Sequence, residues 1–178
     1  MFRLFTFVFV IAMSASAQVS NDRLLHPERE PQNWLTYSGS YASQRYSTLD
    51  QITPDNVANL QPAWTYRTGD VKGPDDIGET TYQVTPLKIG DALYICTPHN
   101  FAIAVDAATG KEKWRYDPKI TRSRTSRGIA MYGNKVFVAT YDARLIALNR
   151  DSGEVVWEVN AAAPTDPTTG TPSKVQGF

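Results

Sequence analysis

Short apolar runs separated by turn residues dominate two stretches of the chain, residues 84–116 and 127–158. In the first, the run 84–89 stops at Gly90-Asp91 and the run 92–97 at Pro98-His99-Asn100. The run 102–106 leads to Thr109-Gly110, and 113–116 follows. Runs of this length bounded by Gly, Asp, Asn and Pro predict four β-strands joined by hairpins. The second stretch repeats the order, with residues 90–97 lining up on 133–140 at a constant offset of about 43 residues.

Within the repeat lies a motif, A-x-(D/N)-x-x-(T/S)-G-x-x-x-W, at 104–114 and 147–157. Gly110 and Gly153 allow a tight turn with positive φ, and the Asp106 and Asn149 side chains are placed to hold turn amides. Trp114 and Trp157 then fall on the outermost strand, each offering a flat apolar face to a neighbouring unit, while Ala104 and Ala147 leave room for close approach. Four strands in that length, with no space for a long helix, are the content of a propeller blade. The fold expected is all-β: β-propeller blades, two complete and four-stranded plus part of a third. Closed propellers need at least about four blades. The chain is therefore expected to be either part of a longer product or one that assembles with other blades.

Residues 33–66 differ in texture. Thr53 and Pro54 suit the N-cap and first turn of a short helix running to Leu60, which would lead into an outer strand of another blade at 63–66. Residues 69–78 predict an exposed loop and 161–172 a connector. At the N-terminus Arg3 precedes an apolar run, 4–13, followed by Ala15-Ser16-Ala17. That order predicts a cleavable signal peptide over 1–17, a mature domain over 18–178, and export to the periplasm. The run is about half the roughly 20 residues that span a bilayer, so no transmembrane segment is expected.

Composition narrows the chemistry. Eighteen basic and 18 acidic side chains cancel, and no long run of one sign suggests a nucleic-acid footprint. A single cysteine, Cys96, excludes an intramolecular disulfide, and its alignment with Ala139 marks it as a small packing residue. His99, at a predicted hairpin tip, reads as an exposed turn residue. Two His and one Cys without metal-ligand spacing give no case for zinc.

The residues Asn33-Trp34-Leu35-Thr36-Tyr37-Ser38-Gly39, Gln44-Arg45-Tyr46-Ser47, Leu49-Asp50-Gln51-Ile52-Thr53, Ala63-Trp64 and Thr85-Pro86-Leu87, followed by the first repeat, resemble the N-terminal part of the quinoprotein alcohol and glucose dehydrogenases. That family holds pyrroloquinoline quinone (PQQ) and a calcium-type ion at the centre of an eight-bladed propeller. The resemblance covers nearly all of residues 18–178. It implies oxidation of alcohols or sugars, with cytochrome c or a quinone as electron acceptor. It sets Gln83 where many members carry a cofactor-contacting glutamate, and Arg127, in Ser126-Arg127-Gly128, at the family's arginine beside the quinone. In the internal repeat Arg127 aligns with Val84, so a charge stands where the preceding unit is apolar, at the start of the expected innermost strand. Thr121 and Arg122 occupy the places where many alcohol-oxidising members have adjacent cysteines. The resemblance puts the catalytic aspartate and metal ligands beyond Phe178, so no catalytic or metal residue is assigned, and the chain alone is expected to be inactive. The alternative reading is a non-catalytic propeller of the same repeats, acting as a binding or scaffold module.

Overall fold

The structure is a computed structural model that describes residues 18–76, 81–122 and 125–162. Among these, strands form two separate four-stranded antiparallel sheets. The first contains β1 (Leu87–Ile89), β2 (Ala92–Cys96), β3 (Ala102–Asp106) and β4 (Glu112–Tyr116). The second contains β5 (Ala130–Tyr132), β6 (Lys135–Ala139), β7 (Arg144–Asn149) and β8 (Val155–Asn160). Strand order follows sequence order in both, as in propeller blades. The expected signal peptide and most of the expected 161–172 connector lie outside the described residues.

The repeat is reproduced down to its register. Leu87 faces Tyr94 as Ala130 faces Phe137, and Ala104 faces Trp114 as Ala147 faces Trp157. Each sheet has a bulge directly after that alanine. The small side chain leaves the cross-strand indole free to lean onto the adjacent ring: Tyr94 and Trp114 lie 6.0 Å apart, Phe137 and Trp157 5.9 Å. Asp106 Oδ1 accepts from the amides of Ala108 and Thr109, and Asn149 Oδ1 from those of Asp151 and Ser152. Gly110 and Gly153 then turn the chain at φ 71° and 75°.

The core lies between the sheets and beneath the N-terminal segment. β2 alternates buried and half-buried residues, whereas the residues from Ala102 to Val105 on β3 are all buried, so both faces of that strand are covered. Leu87, Ile103, Val136, Val138, Ile146 and Leu148 are fully enclosed. β8 is exposed along its whole length. The N-terminal segment crosses the first-strand edges: Val19 exchanges both backbone hydrogen bonds with Gly133, and Trp34 does so with Lys88. Edge groups that would otherwise be open are thereby paired. A short helix, α1 (Asn21–Leu25), buries Leu24 behind a Ser20 cap, a start signal absent from the sequence reading.

Three local expectations change. The strand expected at 84–89 pairs only from Leu87. The helix expected from Thr53 to Leu60 is a single 3-10 turn, Val57–Asn59. The Asn56 side chain accepts from the Thr53 amide and donates to the Gln51 carbonyl, an alternative to the helical ladder, and the segment is too exposed to gain from burial. Residues 63–66 form no strand among the described residues, yet Trp64 makes the bond expected of an outer-strand indole: its Nε1–H donates to the Ala107 carbonyl at 3.2 Å, as that of Trp114 does to Arg150 at 2.8 Å.

Candidate cofactor-binding site

Gln83 and Arg127 come from equivalent segments, each leading into the first strand of a sheet. Tyr82 and Ser126 form a parallel β-bridge, and the hydroxyls of Thr81 and Thr125 lie 2.8 Å apart. One residue further along each backbone, Gln83 and Arg127 are neighbours, and both are exposed. Arg127 stands three residues ahead of β5 rather than on it. Its backbone is anchored on both sides: the buried Ser126 hydroxyl donates to Cys96 Sγ at 3.3 Å and accepts from the Gly128 amide. Gly128, at φ 120°, packs against Val84, where a Cβ would meet Cγ1 at 3.5 Å. Cys96 is fully buried, as expected for a packing residue, and burial pushes its thiol pKa up.

The same end of the sheets carries a cluster that sequence reasoning missed. His99 is buried, not an exposed turn residue. Its Nδ1 lies 2.5 Å from Asp70 Oδ1 and its Nε2 3.3 Å from Asp76 Oδ2, while its amide donates to Asp70 Oδ2 at 2.9 Å. The 69–76 part of the predicted exposed loop thus folds two of its aspartates inward onto the β2–β3 hairpin. Tyr82 precedes Gln83 in sequence; although the residue is 49% exposed, partial burial of its hydroxyl raises its pKa, and Cys96 and Asp70 add to the shift. Beside His99 opens a cleft of about 430 Å³, lined in part by Asp70, Phe101, Asp117, Lys119 and Thr121. Thr121 is one of the two positions noted for lacking cysteine.

A second missed feature lies within the N-terminal segment. The Arg45 guanidinium sits 4.8 Å above the centroid of the Tyr37 ring. A hydrogen bond from Arg45, reinforced by its charge, pulls the Tyr37 hydroxyl below the ordinary phenol pKa, and Arg127 adds to the effect. Among the described residues no group of three or more His, Cys, Asp or Glu side chains is arranged to hold a metal ion.

Comparison with known proteins bears on the fold and the family. The profile of the PQQ family, described as the β-propeller domain of glucose, ethanol and alcohol dehydrogenases, matches residues 34–174. The quinoprotein glucose dehydrogenase of Escherichia coli (strain K12) is 42% identical over 144 residues, covering 70% of this chain and 18% of that protein. Among solved structures, the quinohemoprotein alcohol dehydrogenase of Comamonas testosteroni aligns with a TM-score of 0.71 at 33% identity, over 80% of this chain and 21% of that one. A europium-containing methanol dehydrogenase aligns with a TM-score of 0.67 at 30% identity, over 80% and 25%. The chain spans about a fifth of the length of the first two relatives. With two blades of the right register and a family match over most of its length, the chain belongs to the PQQ family of glucose and alcohol dehydrogenase β-propellers.

Proposed function

We propose that this chain supplies the N-terminal blades of a PQQ-dependent dehydrogenase that oxidises alcohols or sugars in the periplasm, reached through a signal peptide over 1–17. The supporting observation is the Tyr82–Ser126 bridge, which sets Gln83 beside Arg127 at the exposed end of adjacent blades. An exposed guanidinium next to a neutral amide suits a polycarboxylate quinone. The planar fork of Arg127 matches a carboxylate in two hydrogen bonds, or steadies a carbonyl oxygen that becomes anionic. Gln83 donates or accepts without adding charge, so it orients a polar edge and leaves the positive field of Arg127 intact. The Ser126 and Gly128 anchors hold the Arg127 backbone in place, which limits the ordering that binding requires.

PQQ, when bound, supplies the two-electron acceptor for the substrate. Electrons would then pass to cytochrome c or a quinone, and a calcium-type ion would be held by residues other than those described. As an isolated chain the protein is proposed to be inactive. Reconstitution with PQQ and calcium, followed by dye-linked oxidation of ethanol or glucose, tests this: no turnover is expected from these 178 residues, and turnover would overturn that part. In a longer, active form, Arg127→Ala is expected to weaken PQQ binding at least tenfold in an absorbance titration. Unchanged affinity would remove Arg127 from the site.

A further inference from the structure

His99 stands between two carboxylates that one loop supplies. Its Nδ1 lies 2.5 Å from Asp70 Oδ1 and its Nε2 3.3 Å from Asp76 Oδ2, and all three side chains are nearly enclosed. A neutral imidazole carries one N–H and one lone pair, so it donates to one of these oxygens and turns its lone pair on the other. The imidazolium donates to both. Without its proton the cluster would hold two enclosed carboxylates and no cation, a costly arrangement. The same aspartates tie the loop down: Asp70 Oδ2 accepts from the His99 amide at 2.9 Å and Asp76 Oδ2 from the Gly73 amide at 2.7 Å. Gly69, Asp70 and Val71 of this loop also line the cleft of about 430 Å³, together with Phe101, Asp117 and Lys119.

We propose that Asp70, His99 and Asp76 form a proton-operated latch: the His99 imidazolium fastens residues 69–76 to the β2–β3 hairpin, and loss of its proton releases them and opens the cleft. The closed form binds one proton more than the open form, so closure weakens as pH rises. The surrounding groups leave that proton in control. Tyr82 and Cys96 act on Asp70, but burial keeps both neutral to higher pH than usual. Asp117 and Lys119, on the cleft, pair with each other at 2.8 Å. Arg115, above the Phe101 ring, is met by Glu112. Lys72 and Asp75, the other charges of the loop, are exposed. The latch does not depend on PQQ and stands apart from the dehydrogenase reading.

Hydrogen exchange at the Gly73 and His99 amides of the full chain, corrected for the pH dependence of free-peptide exchange, reads the latch. Between about pH 5 and 9, a range that brackets imidazole titration, protection at both amides is expected to fall by up to about tenfold per pH unit, while the paired amides of β3 show no such fall. Nitrogen-15 shifts of the His99 ring are expected to show both nitrogens protonated while the loop is closed. In Asp70→Asn the amide nitrogen can donate to an unprotonated Nδ1, its oxygen can still accept from the His99 amide, and Nε2–H remains for Asp76. That variant is expected to keep both amides protected across the whole range, with β3 protection as the check on folding. Protection that does not change with pH in the unaltered chain, or a neutral His99 ring in the closed form, overturns the latch whether or not the variant folds. An equal fall in a folded Asp70→Asn does so too, and each of these results leaves the dehydrogenase reading in place.

Discussion

Trp114 lies flat against Gly153 of the following blade: a Cβ built on that glycine would stand 2.7 Å from Cδ2 and Cε3 of the indole. The same relation links Trp64 to Gly110, at 2.5 Å. In both cases the indole N–H donates to the carbonyl three residues before the glycine, Arg150 or Ala107. The motif thus works between blades as well as within them. Its glycine is needed for positive φ and also for the absence of a side chain under the neighbour's tryptophan.

Gly153→Ala is therefore expected to destabilise the protein by roughly 2–5 kcal/mol, combining left-handed strain with overpacking against Trp114. Gly90→Ala is the control. Its φ of 57° carries the same strain, but nothing lies within 4 Å of the added methyl, so a cost of about 1 kcal/mol is expected. Urea midpoints at unchanged m-value measure both. Equal costs would show that the indole contact contributes nothing.

Trp114→Phe keeps an aromatic face but leaves the Arg150 carbonyl, in a residue 4% exposed, without the indole donor. An unsatisfied buried acceptor costs about 1–3 kcal/mol. Trp64→Phe is expected to cost about half as much, because its longer bond is only partly buried and water can take the place of the donor. Paired denaturant curves would reveal the difference, and a reversed order would place the buried contact at Trp64.

His99→Leu addresses the buried Asp70–His99–Asp76 cluster. It removes the side chain shared by two carboxylates whose side chains are 3% and 1% exposed. Breaking such a pair costs about 3–5 kcal/mol. The 69–76 loop should also loosen, since Asp70 and Asp76 hold it to the hairpin, and hydrogen exchange at Gly73 and His99 would report that separately. A stability loss below about 1 kcal/mol, with protection unchanged, would show that the loop is held by other contacts.

What was legible beforehand was local. Gly110 and Gly153, the capping Asp106 and Asn149, and the trailing Trp114 and Trp157 fall at fixed offsets, so one pattern specified two sheets and their registers. The strands at 92–96 and 102–106 were legible for the same reason, each bounded by turn chemistry. The meeting of His99 with Asp70 and Asp76 was not, because it spans a loop and a hairpin that share no period. Nor was the stacking of Arg45 on Tyr37, two positions that no repeat period links. The helix expected after Thr53 failed because the Asn56 side chain offered the backbone a competing partner. Gln83 and Arg127 were identified by resemblance, and the Tyr82–Ser126 bridge, which sets their backbones side by side, is the ground for proposing that they share a site.

The capping position supplies a pH test with an internal reference. Asp106 Oδ1 accepts from the Thr109 hydroxyl and amide and from the Ala108 amide, and the Thr109 hydroxyl contributes most to holding the carboxyl below its usual pKa. A carboxyl depressed in the folded state adds stability that is fully present above its unfolded value of about 3.9 and is lost as pH falls through the lower folded value. The second blade uses Asn149 in the same role, with no titration. Asp106→Asn should therefore keep the turn and flatten the acid limb of the stability profile below about pH 4. Asp106→Ala should lower stability at neutral pH as well, because both turn amides lose their acceptor. Thermal melts between pH 2.5 and 7, a range chosen to extend about three units above the unfolded pKa, would separate the variants. An acid limb unchanged in Asp106→Asn would mean that other carboxylates carry the pH dependence.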